Sequence, residues 1–85
     1  MKNTKAHEKE SSWPDRPDVF PPIMTPTEAA QFLRLDRTNH TPESARRTLD
    51  HWRNRGELMG TKYARHVWYL RVELESFLKK KTQIE

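Results

Sequence analysis

The segment 41–70 constrains the fold of this 85-residue chain most strongly, because it carries start and stop signals for one helix and then a short β-pattern. Thr41 is a preferred N-cap residue, and Pro42 suits the first helical position. Gly56 predicts the end of the helix, since glycine readily takes the left-handed conformation found just past many helices. Between these signals, three apolar residues at i, i+4 and i+7 predict one buried stripe: Ala45, Leu49 and Trp52.

The polar residues of this helix lie off the stripe, and most of them are basic or amide side chains: Arg46, Arg47, Asp50, His51, Arg53 and Asn54. A short helix with a packed back and an outward face of this kind fits a DNA major groove. A solvated face on a core helix has the same composition. The helix alone therefore leaves both interpretations open.

Two short strands are predicted after the helix, at residues 58–63 and 66–70, around a tight turn at Ala64-Arg65. The second segment is rich in the β-branched and aromatic residues that strands favour. Three side chains that can carry positive charge cluster at the tip: Lys62, Arg65 and His66. A basic hairpin directly after a basic helix is typical of the wing of a winged helix, although an ordinary charged turn has the same composition.

The distribution of charge favours a polyanionic partner more than the total does. The formal net charge is +4. Residues 1–22 carry four Lys/Arg and four Asp/Glu, whereas residues 37–71 carry eight Lys/Arg and three Asp/Glu, a net charge of +5. The positive charge is therefore concentrated on the predicted helix and hairpin, as binding to nucleic acid requires.

Length and composition also limit the class of protein. Eighty-five residues allow one small domain, and the absence of cysteine excludes a disulfide framework or a Cys-type zinc site. The sequence has no Gly-rich phosphate loop and no His pair at ligand spacing, so we expect no enzyme activity, cofactor or metal. No membrane span or signal peptide is predicted, and a cytoplasmic location is compatible with this composition.

We divide the chain into a flexible N-terminal tail at residues 1–22, a DNA-binding domain at 23–80 and a C-terminal tail at 81–85. The tail is polar and contains four of the six prolines, which predicts no fixed secondary structure. Trp13 and Phe20 are its exceptions, and they either pack onto the domain or contact a partner.

Two further helices complete the predicted domain, at residues 23–35 and 72–80. The first contains a capping box, with Thr25 as N-cap, Pro26 at N1 and Glu28 at N3. Residues 36–40 are either a surface loop or an insertion that reaches the DNA backbone. The predicted core consists of large apolar residues from every element: Phe32, Leu33, Leu49, Trp52, Leu58, Trp68, Leu70, Leu74, Phe77 and Leu78. The expected fold is mainly α with a small β-hairpin, in the order helix, loop, helix, two-stranded wing, helix.

Several motifs together resemble the excisionase-type winged helix-turn-helix, a relative of the MerR DNA-binding domain. They are TPTEAAQFLRL, ARRTLDHWRNRGEL, the basic hairpin and ELESFL, and they span roughly residues 23–78. The sequence departs from the family pattern in two places. The loop at residues 36–40, with Thr41-Pro42, is longer than the family's usual turn, and Ala64 stands where many relatives have glycine.

The resemblance implies a small DNA-binding protein of a bacterial mobile genetic element, cytoplasmic and nucleoid-associated. Many members are recombination directionality factors, which bind several adjacent sites near an attachment site, bend the DNA and help a tyrosine integrase excise the element. We expect copies of this chain to associate head to tail on such DNA. The implied major-groove contacts lie on the second helix: Arg46, Arg47, Thr48, Asp50, His51 and Asn54. The implied wing contacts are Lys62, Arg65 and His66, and Thr25, Thr27 and Arg37 are candidate contacts to the DNA backbone.

Two alternative functions remain at this stage. A small winged-helix transcriptional regulator would have the same residues, and nothing in them separates it from an excision factor. A winged-helix module that binds protein would more often expose an apolar patch where this chain carries net positive charge.

Overall fold

The computed structural model describes residues 13–83, which form three α-helices and one three-stranded antiparallel sheet. The elements follow one another in the order β1 (Ile23–Met24), α1 (Pro26–Phe32), a 3-10 helix (Leu35–Arg37), α2 (Pro42–Asn54), β2 (Thr61–Tyr63), β3 (His66–Leu70) and α3 (Arg71–Gln83). The domain is therefore a small mixed α/β unit, about half helical. Within residues 13–83, no helix is long and apolar enough to cross a membrane.

Capping boxes start both of the first two helices. The hydroxyl of Thr25 accepts the Glu28 N–H at 3.2 Å, and the Glu28 carboxylate accepts the Thr25 N–H at 3.0 Å. Thr41 and Ser44 exchange the equivalent bonds at 3.1 and 3.0 Å. Each box satisfies two backbone donors that the helix itself leaves free. The predicted caps at Thr25 and Thr41 are confirmed, and Ser44 is a partner that the sequence analysis did not name.

Gly56 ends α2 as predicted, with φ of 80°. Its N–H donates to Arg53 O at 3.0 Å, and the Glu57 N–H donates to Trp52 O at 2.9 Å. This pair of bonds is the Schellman motif, which turns the chain sharply away from the helix axis. The turn directs the chain back along α2 and into the hairpin.

The sheet has three strands rather than the two that were predicted, in the order β1-β3-β2. Ile23 and Met24 were assigned to the first helix, but they pair with Leu70 and Tyr69 of β3. Thr25 is extended as the N-cap, so the helix cannot begin before Pro26. The first helix is shorter than predicted at its other end as well, because Arg34 takes a left-handed conformation with φ of 64°.

The hairpin turn lies at Ala64 and Arg65, as predicted, and both residues have positive φ, 53° and 70°. Two consecutive left-handed residues form the turn type that matches the right-handed twist of the flanking strands. Residues other than glycine pay roughly 1–2 kcal/mol each for this conformation. The sheet pairing on both sides must therefore hold the turn. The predicted bounds of β3 are confirmed, whereas β2 begins only at Thr61.

The core lies between α1, α2, α3 and the sheet. Its buried apolar residues are Met24, Ala29, Ala30, Leu35, Ala45, Leu49, Leu58, Tyr69, Leu74 and Phe77. Tyr69 is buried where Trp68 was expected, because neighbouring residues of a strand point to opposite faces. Trp68 and Trp52 are half-buried instead. Leu78, which was expected in the core, is 40% exposed.

Residues 13–22 form no helix or strand, as expected of the predicted tail, but they pack against the domain. Phe20 stacks edge to face on Phe32 with ring centroids 5.4 Å apart, and Arg71 donates to the Phe20 carbonyl. The packed unit therefore includes residues 13–22 as well as the predicted domain. At the other end α3 continues through Gln83, so part of the predicted C-terminal tail is helical. The predictions for residues 1–12 and 84–85 lie outside the described residues.

Candidate nucleic-acid interface

The polar residues of α2 fall into two parallel rows. Helical spacing puts Arg46, Asp50 and Arg53 in one row at i, i+4 and i+7, along one flank of α2. The second row, further from the core, has the same spacing: Arg47, His51 and Asn54. Arg46 and the whole second row are exposed to solvent. All six side chains lie off the apolar stripe, as predicted, and the first row contains Arg53, which lies next to the hairpin.

Arg53 joins the first row to the base of the hairpin. Its Nη2 donates to Asp50 Oδ1 at 2.9 Å, and its side chain lies beside the Tyr69 hydroxyl. The bond to Asp50, and then the Tyr69 hydroxyl, raise the pKa of Arg53. Burial raises the pKa of the Tyr69 phenol, and the Arg53 guanidinium opposes that shift. Arg53 therefore remains charged while it ties α2 to β3.

Gly60 lets the hairpin approach α2 closely. A Cβ atom at this position would lie 2.8 Å from Arg53 Cδ and 3.2 Å from the side chains of Tyr69 and Val67. Such a distance is too short without a shift of the neighbours, and Arg53 is held by its ion pair. A larger residue at position 60 would therefore separate the hairpin from α2. This close approach was not predicted, although Gly60 lies inside the predicted strand 58–63, where a glycine often marks a close backbone approach.

The hairpin presents its predicted contacts on different faces. Lys62 pairs with Val67, which lies on the same face of β3 as the buried Tyr69, so the Lys62 side chain leaves from the face that looks toward α2. His66 lies on the opposite face with Trp68, and their rings are 6.4 Å apart. Arg65 is in the turn itself. The structure thus brings Lys62 and Arg65 to the α2 side or the tip, and it turns His66 away.

Four exposed cations of this region have no acidic partner. Within residues 13–83, no carboxylate oxygen lies within 4.0 Å of Arg46, Arg47, Lys62 or Arg65. Uncompensated cations repel one another and attract anions. This cationic surface (Arg46, Arg47, Lys62 and Arg65) is therefore the part of α2 and the hairpin that is free to meet an anionic partner.

Three predicted site residues already have intramolecular partners. Thr25 is occupied in its capping box. Thr48 donates its hydroxyl to Ser44 O at 3.0 Å, and Asp50 accepts from Arg53. The side chain of Asp50 is still 46% exposed, so its second oxygen remains reachable. These contacts orient the side chains before any partner binds.

The remaining predicted backbone contacts lie outside α2 and the hairpin. Thr27 is half-buried in the first turn of α1. Arg37 is exposed in the 3-10 helix and borders a cleft with Trp13 and Asp36. Thr25 borders a different cleft, beside β3. Thr25 and Arg37 thus border different clefts, and neither cleft is lined by a residue of the cationic surface.

Comparison with known proteins adds no relative: no protein-family model matches the chain, and no curated protein or solved structure is significantly similar to it. In residues 13–83, no group of three or more His, Asp or Glu side chains is placed to hold a metal ion.

Proposed function

We propose that this protein binds double-stranded DNA as a winged helix-turn-helix, with α2 as the recognition helix and the β2–β3 hairpin as the wing. The observation that carries the proposal is the cationic surface on α2 and the hairpin, whose four Lys/Arg side chains pair with no carboxylate of residues 13–83. Double-stranded DNA carries one negative charge per about 1.7 Å of helix axis, so it attracts a surface of this kind. The amide of Asn54 and the guanidinium groups of Arg46 and Arg47 can also read base edges.

The dimensions of the two elements suit this mode of binding. The α2 helix has 13 residues, about 20 Å of helix, and a B-DNA major groove about 12 Å wide admits such a helix. From Gly60 to the turn, an extended chain of four residues spans roughly 13 Å. The tip of the hairpin therefore lies about one groove width from the start of the hairpin beside Arg53. This distance is enough for Arg65 to meet the adjacent DNA backbone.

The biological role rests on the resemblance to excisionase-type proteins. On this proposal the protein is a cytoplasmic recombination directionality factor that binds attachment-site DNA head to tail and acts with a tyrosine integrase. A transcriptional regulator built on the same domain is the alternative. Ultracentrifugation on duplexes with one, two and three sites, together with a permuted-site gel assay, separates them. Cooperative loading with bending supports the excision factor, and a free dimer on one unbent palindrome supports the regulator.

DNA binding itself is tested by removing equal charge from two places. Arg46→Gln with Arg47→Gln removes two charges from the cationic surface, whereas Arg55→Gln with Lys81→Gln removes two that are paired with Glu57. Fluorescence anisotropy with a random-sequence duplex gives the affinity of each variant. We expect the first variant to lose affinity at least tenfold and the second to lose much less. Equal losses would show that net charge alone attracts the DNA, and no binding by the wild type would refute the proposal.

One observation favours a second function, a protein-docking module. A largely apolar cleft of about 210 Å³ lies between α1 and β3, bordered by Pro26, Val67 and Trp68. Tyr63, on the same hairpin, is 69% exposed. Substituting Trp68 by Ser would leave DNA affinity intact and abolish binding to a protein partner if this cleft were the functional surface.

A further inference from the structure

The segment from Trp13 to Pro22, here the N-terminal strap, is tied to the stretch of chain that leads into α2. That stretch, residues 33–41, is the connector, and it includes the 3-10 helix. The strap contacts it at two points, at Asp36 in the 3-10 helix and at His40 just before α2. None of the four cations of the cationic surface takes part in these contacts.

The first tie lies directly beside the start of α2. The indole N–H of Trp13 donates to the His40 carbonyl at 3.0 Å, across 27 residues of sequence. His40 immediately precedes Thr41, the N-cap of α2. Its ring nitrogen Nδ1 lies 3.0 Å from the Thr38 hydroxyl. The last turn of the connector is therefore held both from within and by the strap.

The second tie is an ion pair with a backbone contact added. Nη1 of Arg16 donates to both carboxylate oxygens of Asp36, at 3.1 and 3.0 Å, and to Gln31 O at 2.9 Å. The Asp36 side chain is only 9% exposed, so solvent screens this pair less than it screens a surface pair. Gln31 is fully buried and donates its amide to the Pro14 carbonyl at 2.7 Å. The strap is thus bonded to both the end of α1 and the 3-10 helix.

The connector needs such support because its backbone is strained. Arg34 and Asn39 have φ of 64° and 68°, in the left-handed region. Asparagine tolerates this conformation, but arginine does not favour it. A strained backbone persists only where surrounding contacts determine it. The ties at Asp36 and His40 lie within the connector, one before and one after Asn39.

We propose that Trp13 and Arg16 are positioning residues for DNA binding. They fix the point at which the connector enters α2, and through it the placement of Arg46 and Arg47 against the DNA. This inference rests on the proposed DNA-binding function and extends it to a segment outside the cationic surface. Without the ties the connector samples other conformations, and only a fraction of the molecules present α2 correctly.

The sharpest test is Asp36→Ala, because electrostatics and positioning predict opposite signs. The substitution removes a negative charge near Arg37, so electrostatics alone predicts tighter binding to DNA. It also removes the partner of Arg16, so positioning predicts weaker binding, by about three- to tenfold if the competent fraction falls to a third or a tenth. Affinity for a duplex selected from a random library is measured at a temperature where thermal melts show every variant fully folded.

Trp13→Phe provides a second, charge-neutral test, since it keeps an aromatic ring and removes the N–H donor. Val19→Ala is the matched control, because Val19 belongs to the strap and is 76% exposed. We expect weaker binding for Trp13→Phe with an unchanged salt dependence, and no change for Val19→Ala. Hydrogen exchange should accelerate at the amides of Arg37 and Thr38, which bond within the connector, but not in the middle of α2.

The outcomes distinguish the two proposals. If the wild type does not bind DNA, the proposed function fails. If it binds, and Asp36→Ala and Trp13→Phe bind equally well or more tightly, the strap has no positioning role and this inference is overturned. Weaker binding by both variants while they are fully folded, with exchange altered only in the connector, supports it.

Discussion

Two groups of basic side chains, one on α2 and the hairpin and one where α2 meets α3, have opposite surroundings. On the cationic surface, Arg46 and Arg47 project from α2 without an acidic partner in the described chain. The second group lies where α2 meets α3, here called the junction (Trp52, Arg55, Glu57, Phe77 and Lys81). There Arg55 and Lys81 both contact Glu57, at 2.9 and 3.3 Å. Lys81 also lies over the rings of Trp52 and Phe77, 5.9 and 5.5 Å from their centroids.

The number of basic residues in a region therefore does not measure how available they are to an anionic partner. The junction uses its cations internally, to cover an aromatic pair and neutralise one carboxylate. The cationic surface keeps its charge uncompensated, which costs folding stability and favours an anionic partner. We therefore expect substitutions at the junction to affect stability and substitutions on the cationic surface to affect binding.

The largest expected effect belongs to the junction. Phe77 is 4% exposed and stacks on Trp52 with centroids 4.8 Å apart. Phe77→Ala should lower the free energy of unfolding by about 3–5 kcal/mol, through lost burial and the cavity left behind. Urea denaturation measures this, with Val72→Ala as the control, because Val72 lies on the same helix and is 64% exposed.

If Phe77→Ala does not fold, the smaller change Phe77→Leu provides the measurement, with an expected loss of about 1–1.5 kcal/mol. Equal stability of the Phe77 and Val72 variants would show that packing at the junction does not stabilise the fold.

The second effect concerns the cationic surface as a whole. If each of its four cations neutralises one phosphate, the slope of log affinity against log salt should be about −3.6. Affinity would then fall roughly 150-fold between 50 and 200 mM salt, by the same relation. Anisotropy titrations across this range measure the slope, and tight binding with a slope near zero would show that phosphate contacts do not drive association.

The third effect separates base reading from attraction. Arg47→Ala should lose about 1–3 kcal/mol on a selected site if its guanidinium holds a guanine edge, and less on a scrambled duplex. Arg65→Ala should weaken binding to both duplexes alike. If Arg47→Ala retains the full preference for the selected site, another side chain of α2 reads the bases. The unfolding free energy of the Arg47→Ala variant should stay within about 0.5 kcal/mol of that of the wild type.

The smallest effect is the pH dependence of the junction. Hydrogen bonds from Arg55 and then Lys81 lower the pKa of Glu57 below its ordinary value. Because the folded-state pKa is the lower one, the stabilisation is present above the ordinary glutamate pKa and is lost as pH falls through the folded value. Thermal melts of the wild type and Glu57→Gln should therefore differ slightly near neutral pH and converge in acid. A difference that grows on acidification would contradict this account.

Much of the local structure followed from neighbouring residues in the sequence. The caps at Thr25 and Thr41, the stop at Gly56 and the turn at Ala64-Arg65 are all at the predicted positions. Each depends on backbone preferences and hydrogen bonds within about four residues. The cations of α2 and the hairpin were identified in the same way, because helical and strand periodicity already separates polar from apolar positions.

Contacts between distant residues decided the rest. The pairing of Met24 with Tyr69 turned a predicted helix start into a strand and placed Tyr69, rather than Trp68, in the core. The strap gained its order from Arg16 and Trp13, whose partners lie 20 and 27 residues away. Sequence periodicity carries no information about such pairings, because their free energy arises only when the chain brings the two groups together.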